Sequence, residues 1–161
     1  MKRRKFIANG IALSAMTGIP AGALAGRPAK IMQDKQQFNL KYAPHRGQFK
    51  HHAGDDIIDQ IKFAAEVGFT AWEDNGMLKR DTALQEKIGS ELARQGMTMG
   101  VFVVDGGDNW KISLTTGEPE FLDVFVKTCN RCVEVAKRVN AQWMTVVPGY
   151  FERNLPIGVQ T

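Results

Sequence analysis

The hydrophobic positions of this chain follow two spacings, one typical of helices and one typical of strands. Three times a helical stripe of apolar residues gives way to a Gly or Asn, an apolar strand and a polar loop, with the strands predicted at 69–72, 97–104 and 143–147. Alternating apolar residues predict a further, first strand at 38–43, which Pro44 ends. A series of this kind builds βα units around a parallel sheet, so we predict an α/β fold with about four parallel strands and three helices.

The helices are predicted from capping residues and from apolar stripes. Helix one is expected to begin near Asp55 or Asp56, whose carboxylates can accept hydrogen bonds from the first backbone N–H groups of the helix. Thr82 and Gln85 match a capping box at the start of helix two, and Pro119 suits the first position of helix three. The side chains expected on the buried faces are Ile57, Ile61, Ala64, Ala65, Leu84, Ile88, Leu92, Leu122, Phe125, Val126, Cys129, Val133 and Ala136.

Residues 1–26 have the three parts of an export signal. A basic start with Arg3 and Arg4 precedes an apolar run at 6–24, and small residues at 23–25 offer a cleavage site. The basic start resembles the twin-arginine motif, so we expect an exported, periplasmic protein, with 27–37 as a polar linker and 38–161 as the folded domain. The alternative is an uncleaved membrane anchor, which glycines and a proline within the apolar run disfavour.

The charge balance depends on that signal. The chain has 21 Lys and Arg against 17 Asp and Glu, a formal net charge of +4. Residues 2–5 supply four of the cations and residues 1–25 hold no anion, so 17 of each sign remain once the signal is removed. A neutral domain gives no support for a nucleic-acid partner.

Cys129 and Cys132 are the only cysteines, and their spacing is that of a C-x-x-C redox or zinc motif. The surrounding pattern is helical, without the strand-to-helix turn that a thioredoxin-like site needs, and no second pair completes a zinc site. We interpret both as small buried apolar residues.

The number of βα units raises a question of length. A (β/α)8 barrel needs about 250 residues, and an open half barrel would expose an edge strand and an apolar face. We therefore expect the sequence to be part of a longer protein. The alternative is a complete small open α/β sheet.

One passage resembles a known family. Residues 63–73, F-A-A-E-V-G-F-T-A-W-E, resemble the helix-one to strand-two passage of hydroxypyruvate isomerases, within the xylose isomerase-like TIM-barrel superfamily of sugar isomerases and epimerases. The similarity continues in D-G-G-D-N-W at 105–110, G-E-P-E-F at 117–121 and V-V-P-G at 146–149. It implies that the chain is the incomplete N-terminal half of a (β/α)8 TIM barrel.

The resemblance implies a reaction as well as a fold. Members move a carbonyl along a small sugar or hydroxy-keto acid through an enediolate, with a carboxylate base and a divalent metal, Mg or Mn, that polarises the carbonyl oxygen. In the family, the metal ligands and catalytic glutamates follow strands five to eight. No catalytic residue or metal ligand is therefore assigned in this chain, and the fragment alone is expected to be inactive.

Four residues near the ends of the predicted strands are candidates for contact with the substrate. His45 is expected to hydrogen-bond a substrate hydroxyl or carbonyl, and Glu73 matches the family's strand-two glutamate. Asp105 is expected to bind hydroxyls and Trp110 to stack on a sugar face. The alternatives are a solvated histidine, a surface carboxylate and, for Asp105 and Trp110, residues that only organise their loop. The adjacent His51 and His52 are interpreted as solvent-facing.

Two other functions compete with an isomerase. A non-catalytic carbohydrate-binding protein could use the same scaffold, and so could a phosphodiesterase similar to apurinic endonucleases. The neutral domain and the export signal both disfavour a DNA substrate. Fold resemblance alone does not choose among these functions.

Overall fold

The computed structural model describes residues 38–160, which form a mixed α/β arrangement of helices and short parallel strands. The signal predicted at 1–26 and the linker predicted at 27–37 lie outside the described residues. The helices are α1 (Lys50–Ala53), α2 (Ile57–Glu66), α3 (Thr82–Gln95) and α4 (Pro119–Val139). The strands are β1 (Ala71–Trp72), β2 (Thr98–Met99), β3 (Val101–Val104) and β4 (Trp143–Val146). Short 3-10 helices lie at Met77–Lys79, Leu114–Thr116 and Ile157–Val159.

Every described strand pair is parallel, as predicted for an α/β fold. β1 pairs with β2, with Ala71 opposite Thr98, and β3 pairs with β4, with Val101 opposite Trp143. An isolated parallel bridge joins His45 to Glu73. The described strands therefore form two small parallel sheets, β1–β2 and β3–β4.

The predicted first strand at 38–43 is wrong. The Tyr42 N–H donates to the Leu40 carbonyl at 3.0 Å, so the segment bends back on itself instead of pairing with a neighbour. Leu40 is 65% exposed, and only the next residues reach the sheet, where Glu73 N–H donates to the Pro44 carbonyl at 3.0 Å. Because Pro44 has no N–H to donate, this segment contributes one bridge, at His45, and no ladder.

The strand predicted at 97–104 is interrupted at Gly100. Met97 and Met99 are buried before the break, and Phe102 and Val104 are buried after it. Burial thus shifts from odd to even positions, as it does where a bulge inserts one extra residue into a strand. The interruption divides the paired segments into β2, which pairs with β1, and β3, which pairs with β4.

Asp56 and Asp81 cap the two helices before the bulge. The Asp56 carboxylate accepts from Ile58 N–H at 2.7 Å, which confirms the predicted start of α2. The cap of α3 is Asp81, which accepts from Leu84 N–H at 2.8 Å, and not the predicted Thr82.

Gln85 does not complete the predicted capping box. Its amide instead donates to the carbonyls of Met77 and Arg80 at 3.1 and 2.9 Å, and its oxygen accepts from the Arg138 guanidinium at 3.0 Å. The buried Gln85 side chain therefore fastens the start of α3 to the preceding 3-10 helix and to the end of α4.

The buried faces of α2 and α3 agree with the prediction, but the face of α4 does not. Ile57, Ile61, Ala64, Ala65, Ile88 and Leu92 are buried, with Leu84 partly buried. On α4 the buried residues are Thr128, Cys132, Val135 and Val139, whereas the predicted Leu122, Val126 and Val133 are exposed and Phe125, Cys129 and Ala136 pack at the margin of the core. Apolar residues extend around much of α4, and the edge that packs against α3 and β3 is the one that is buried.

Strand β4 is the least covered part of the described sheet. All four of its residues are exposed, and Trp143 is 72% exposed. No helix among residues 38–160 is long and apolar enough to cross a membrane.

Candidate functional site

The carboxyl ends of the parallel segments bring His45 and Glu73 together. The two residues are directly opposite each other in the parallel bridge, so their side chains share one face of the sheet. Both are half-buried. Their proximity was predicted only in general terms, as two residues following neighbouring strands.

The His45 ring is held in one orientation by its own backbone neighbour. Its Nδ1 lies 3.0 Å from the Arg46 carbonyl oxygen, which can only accept, so in the neutral ring Nδ1 carries the proton. Nε2 then keeps its lone pair and accepts a long hydrogen bond from Asn75 N–H at 3.5 Å. His45 is therefore held beside Glu73 by contacts of both ring nitrogens, and its hydrogen bond to a substrate stays a prediction.

The Glu73 carboxylate has no hydrogen bond or ion pair within residues 38–160. Space beside it is kept by small residues. A Cβ added to Gly100 would lie 3.6 Å from the Ala43 Cβ and 3.9 Å from the Glu73 Cβ, so Ala43 and Gly100 border the same face. A carboxylate at the carboxyl end of a strand, without a described partner and beside small residues, is able to accept a ligand hydroxyl.

Asp74, the neighbour of Glu73, has a different role. It is 1% exposed, and its carboxylate accepts from Arg80 Nε and Nη2 at 2.5 and 3.0 Å and from Gly76 N–H at 3.1 Å. The two adjacent carboxylates, which the sequence presents as a pair, thus point to opposite sides of the strand. Asp74 fixes the loop after β1 and leaves Glu73 available.

Asp105 joins two loops. Its Oδ2 forms an ion pair with Lys79, in the 3-10 helix after β1, and its Oδ1 accepts from Gly107 N–H at 2.9 Å. The Lys79 ammonium, with help from that N–H, holds the pKa of Asp105 below its usual value although partial burial opposes this. Each oxygen of the Asp105 carboxylate therefore has a partner within the loops, as expected of a residue that organises its loop. Contact with a substrate hydroxyl stays a prediction.

Trp110 lies on the loop after β3 and is 70% exposed. Its ring centroid is 6.4 Å from that of Tyr150, on the loop after β4, and the two planes are inclined by 54°. Tyr150 was not among the predicted site residues. The Pro148-Gly149-Tyr150-Phe151 sequence after strand four marks it as a loop residue, but no pattern in the sequence pairs it with Trp110.

The loops after β3 and β4 are hydrogen-bonded to each other. Ile112 and Tyr150 form a parallel bridge, the Tyr150 N–H donates to the Lys111 carbonyl at 2.7 Å, and the Thr115 hydroxyl donates to the Tyr150 carbonyl at 2.7 Å. Gly149 has φ +91°, and a Cβ there would lie 2.4 Å from the Lys111 oxygen, so only glycine fits between the loops. This pairing sets the position of the aromatic rings.

The described residues do not by themselves form a metal site. No group of three or more His, Cys, Asp or Glu side chains within residues 38–160 could hold a metal ion. Glu73 stands without a second carboxylate, and Asp105 is tied to Lys79. His51 and His52 are exposed on α1, as predicted, and the ring of His52 stacks on Phe63 at 5.3 Å.

The two cysteines also lack a described ligand. Cys132 is fully buried in the core and Cys129 is partly buried, and both are free thiols. Burial raises the pKa of Cys132 to about 11. This is the structural environment of an inert thiol, in agreement with the interpretation from sequence.

Comparison with models of known protein families, with curated proteins and with solved structures found no match to this chain.

Proposed function

We propose that this chain is the N-terminal half of an exported (β/α)8 isomerase or epimerase that acts on a small sugar or hydroxy-keto acid, of the hydroxypyruvate isomerase-like type. The observation that carries the proposal is the Glu73 carboxylate, half-buried at a strand end, without a described partner and opposite His45. The resemblance at 63–73 ends at this same residue.

The chemistry of the pair favours a hydroxylated substrate. An ionised carboxylate only accepts hydrogen bonds, and His45 Nε2 already accepts from Asn75 N–H, so the Glu73 carboxylate is the acceptor of the pair that is open to a ligand. An open carboxylate acceptor suits the hydroxyl donors of a sugar, and it repels the oxygens of a phosphodiester. The pair therefore favours an isomerase over the phosphodiesterase alternative.

The arrangement of the strands supports a barrel. The parallel segments pair in chain order, as neighbouring strands of a (β/α)8 barrel do. The exposed apolar side chains on β4 and on α4 are surfaces that a following βα unit would cover. Because the resemblance puts the metal ligands and catalytic carboxylates after strands five to eight, we assign residues 38–160 substrate contacts only.

The reaction can be tested without knowledge of the metal ligands. Isomerisation removes a proton from the carbon beside a carbonyl and returns one to the adjacent carbon, so solvent deuterium enters the substrate. We expect protein from its native source to introduce deuterium into a hydroxy-keto acid or ketose, as observed by NMR in D₂O. The Glu73→Gln variant is expected to raise KM more than it lowers kcat, because it removes a contact made before and during the reaction. Absence of exchange with hydroxypyruvate and with ketoses would refute the enzyme proposal.

A non-catalytic carbohydrate-binding protein is the second candidate. The exposed Trp110 and Tyr150 rings favour it, since they need no catalytic carboxylate to bind a sugar. Saturable sugar binding with no deuterium exchange would select this function.

A further inference from the structure

We propose that Gln60 is a positioning residue for the candidate site. Through the peptide group between Arg46 and Gly47, it keeps the ring proton of His45 on Nδ1, and so leaves the Glu73 carboxylate open to a ligand. The consequence for a ligand rests on the proposed function, whereas the effect of Gln60 on His45 does not. The starting point is a buried amide side chain on an otherwise apolar helix face.

Gln60 is the polar exception on the buried face of α2, where it is 1% exposed. The other buried residues of this helix are apolar: Ile57, Ile61, Ala64 and Ala65. A buried amide is costly unless it is hydrogen-bonded. The side-chain oxygen and nitrogen of Gln60 both bond to backbone groups of the loop that follows His45. This loop therefore explains why a glutamine stands among the apolar residues.

The two hydrogen bonds of Gln60 hold that loop at two glycines. The side-chain oxygen accepts from Gly47 N–H at 2.7 Å, and the side-chain nitrogen donates to the Gly54 carbonyl at 2.9 Å. The glycines have φ angles of +93° and +80°, which residues with a Cβ rarely adopt. Because a carbonyl only accepts and a backbone N–H only donates, the Gln60 amide fits in this orientation alone. Gln60 therefore fixes both bends of the loop.

One planar group joins Gln60 to His45. The N–H that donates to Gln60 belongs to the peptide between Arg46 and Gly47. The carbonyl oxygen of the same peptide lies 3.0 Å from His45 Nδ1. The N–H and C=O of a trans peptide are rigidly connected and point in opposite directions. Gln60 thus sets the plane of the peptide, and the peptide carbonyl places the ring proton on Nδ1.

A flip of this peptide would reverse the tautomer of the ring. The flip rotates ψ of Arg46 and φ of Gly47, and glycine permits the rotation because it has no Cβ. The peptide N–H would then face His45 Nδ1, which would have to accept, and exchange with water would place the proton on Nε2. The flip also leaves the buried Gln60 oxygen without a donor, and this cost holds the peptide in its present orientation.

The tautomer decides whether the Glu73 carboxylate is open. With the proton on Nδ1, Nε2 of His45 accepts from Asn75 N–H at 3.5 Å. With the proton on Nε2, two donors would face each other there, and Nε2–H would instead donate to Glu73, the neighbour of His45 in the parallel bridge. The carboxylate would then have a partner within the chain. Gln60 thereby keeps the acceptor that the proposed function requires.

The test is the tautomer of His45, measured from the ring ¹⁵N chemical shifts of the labelled full chain at pH 9, where a histidine ring is ordinarily neutral. The chain has three histidines, so His45→Gln assigns the signals. We expect the proton on Nδ1 in the parent. In Gln60→Met, we expect the ratio of the Nδ1–H to the Nε2–H tautomer to fall by about fivefold or more, the effect of one net hydrogen bond.

Two further variants distinguish positioning from a general loss of packing. Gln85→Met removes another buried glutamine, 3% exposed, whose bonds to Met77 and Arg80 do not involve the peptide before Gly47, so it should keep the parent ratio. Gln60→Glu retains an acceptor for Gly47 N–H and should also keep the proton on Nδ1. Circular dichroism establishes that each variant folds.

Hydrogen exchange of the parent gives a measurement that needs no variant. The Gly47 amide should be protected although Gly47 is exposed, because it donates to a buried acceptor. An unprotected Gly47 amide, a proton on Nε2 in the parent, or equal tautomer ratios in the parent and Gln60→Met would each overturn the positioning role. An equal change in Gln85→Met would also overturn it, since the effect would then be a general loosening of the fold.

The same variants separate this inference from the proposed function. Gln60→Met is expected to raise KM in the deuterium-exchange assay by about fivefold with little change in kcat, because the open site is less populated. A changed tautomer with an unchanged KM would overturn the step from His45 to Glu73. A changed tautomer in Gln60→Met, without deuterium exchange by the parent, keeps the positioning role and refutes the isomerase. Deuterium exchange with an unchanged tautomer keeps the isomerase and refutes the positioning role.

Discussion

Replacement of Asp74 by Asn separates the roles of the two adjacent carboxylates after β1. The Asp74 side chain is 2% exposed and that of its partner Arg80 is 16% exposed, and the two share two hydrogen bonds. Asp74→Asn keeps the shape of the side chain but removes the charge and turns an N–H₂ group toward a guanidinium that only donates. Removal of one partner from a buried ion pair costs about 3–5 kcal/mol. Because Arg80 retains some solvent contact, we expect the low end, about 3 kcal/mol.

The assay is urea unfolding of the full chain, followed by far-UV circular dichroism. With an m-value of about 1–3 kcal/mol/M, a loss of about 3 kcal/mol lowers the urea midpoint by roughly 1–3 M. The matched control is Glu73→Gln, one residue away, where the carboxylate has no partner within residues 38–160. Its free energy of unfolding is expected to stay within about 0.5 kcal/mol of the parent's. An Asp74→Asn midpoint equal to the parent's, or an equal loss in Glu73→Gln, would refute this division of roles.

Three further predictions concern helix packing, pH dependence and thiol reactivity. Gly89→Ala is expected to destabilise the fold by about 1–3 kcal/mol in urea unfolding, because the new Cβ would lie 2.2 Å from the Arg138 carbonyl oxygen, whereas Ser90→Ala on the exposed face of α3 should be neutral or slightly stabilising. The lowered pKa of Asp105 means that its ion pair with Lys79 contributes stability above the ordinary value of 3.8, and that this contribution is lost as the pH falls through the lower folded pKa. Asp105→Asn should therefore flatten the acid limb of the stability profile, and an unchanged limb would contradict the ion pair. Cys132, buried and with its pKa raised to about 11, is expected to resist iodoacetamide at pH 8 in the folded protein and to react in urea, as mass spectrometry would show; rapid native labelling would contradict its burial.

The parts of the fold that depend on local chemistry were predictable from sequence. Asp56 caps α2 because its side chain reaches N–H groups two and three residues away, and Gly96 ends α3 in the left-handed conformation with φ +65°. The parallel pairing of strands also follows from the repeated order of elements. His45 and Glu73 could be placed at one edge for that reason.

The predictions were wrong where residues distant in the sequence determine strand pairing or burial. The segment around Leu40 has an alternating pattern, but a strand needs a ladder, and Pro44 limits the donors available for one. Apolar residues surround α4 so widely that the pattern did not indicate which edge meets α3 and β3, and Val135 and Val139 are buried whereas the predicted Leu122 is exposed. The contact of Trp110 with Tyr150 joins residues 40 positions apart in irregular loops, where hydrophobic periodicity carries no information.

The most direct test is to map where a hydroxylated ligand binds on the chain, from the backbone amide chemical shifts in ¹H–¹⁵N NMR. On titration with a ketose, we expect shifts at His45, Glu73, Gly100 and the turn around Asn75. We expect Glu73→Gln to reduce these shifts greatly, while Asp74, buried against Arg80, keeps its own signals. Shifts confined to other surfaces, or an unchanged map in Glu73→Gln, would contradict the claim that Glu73 and His45 form the substrate-binding edge of this protein.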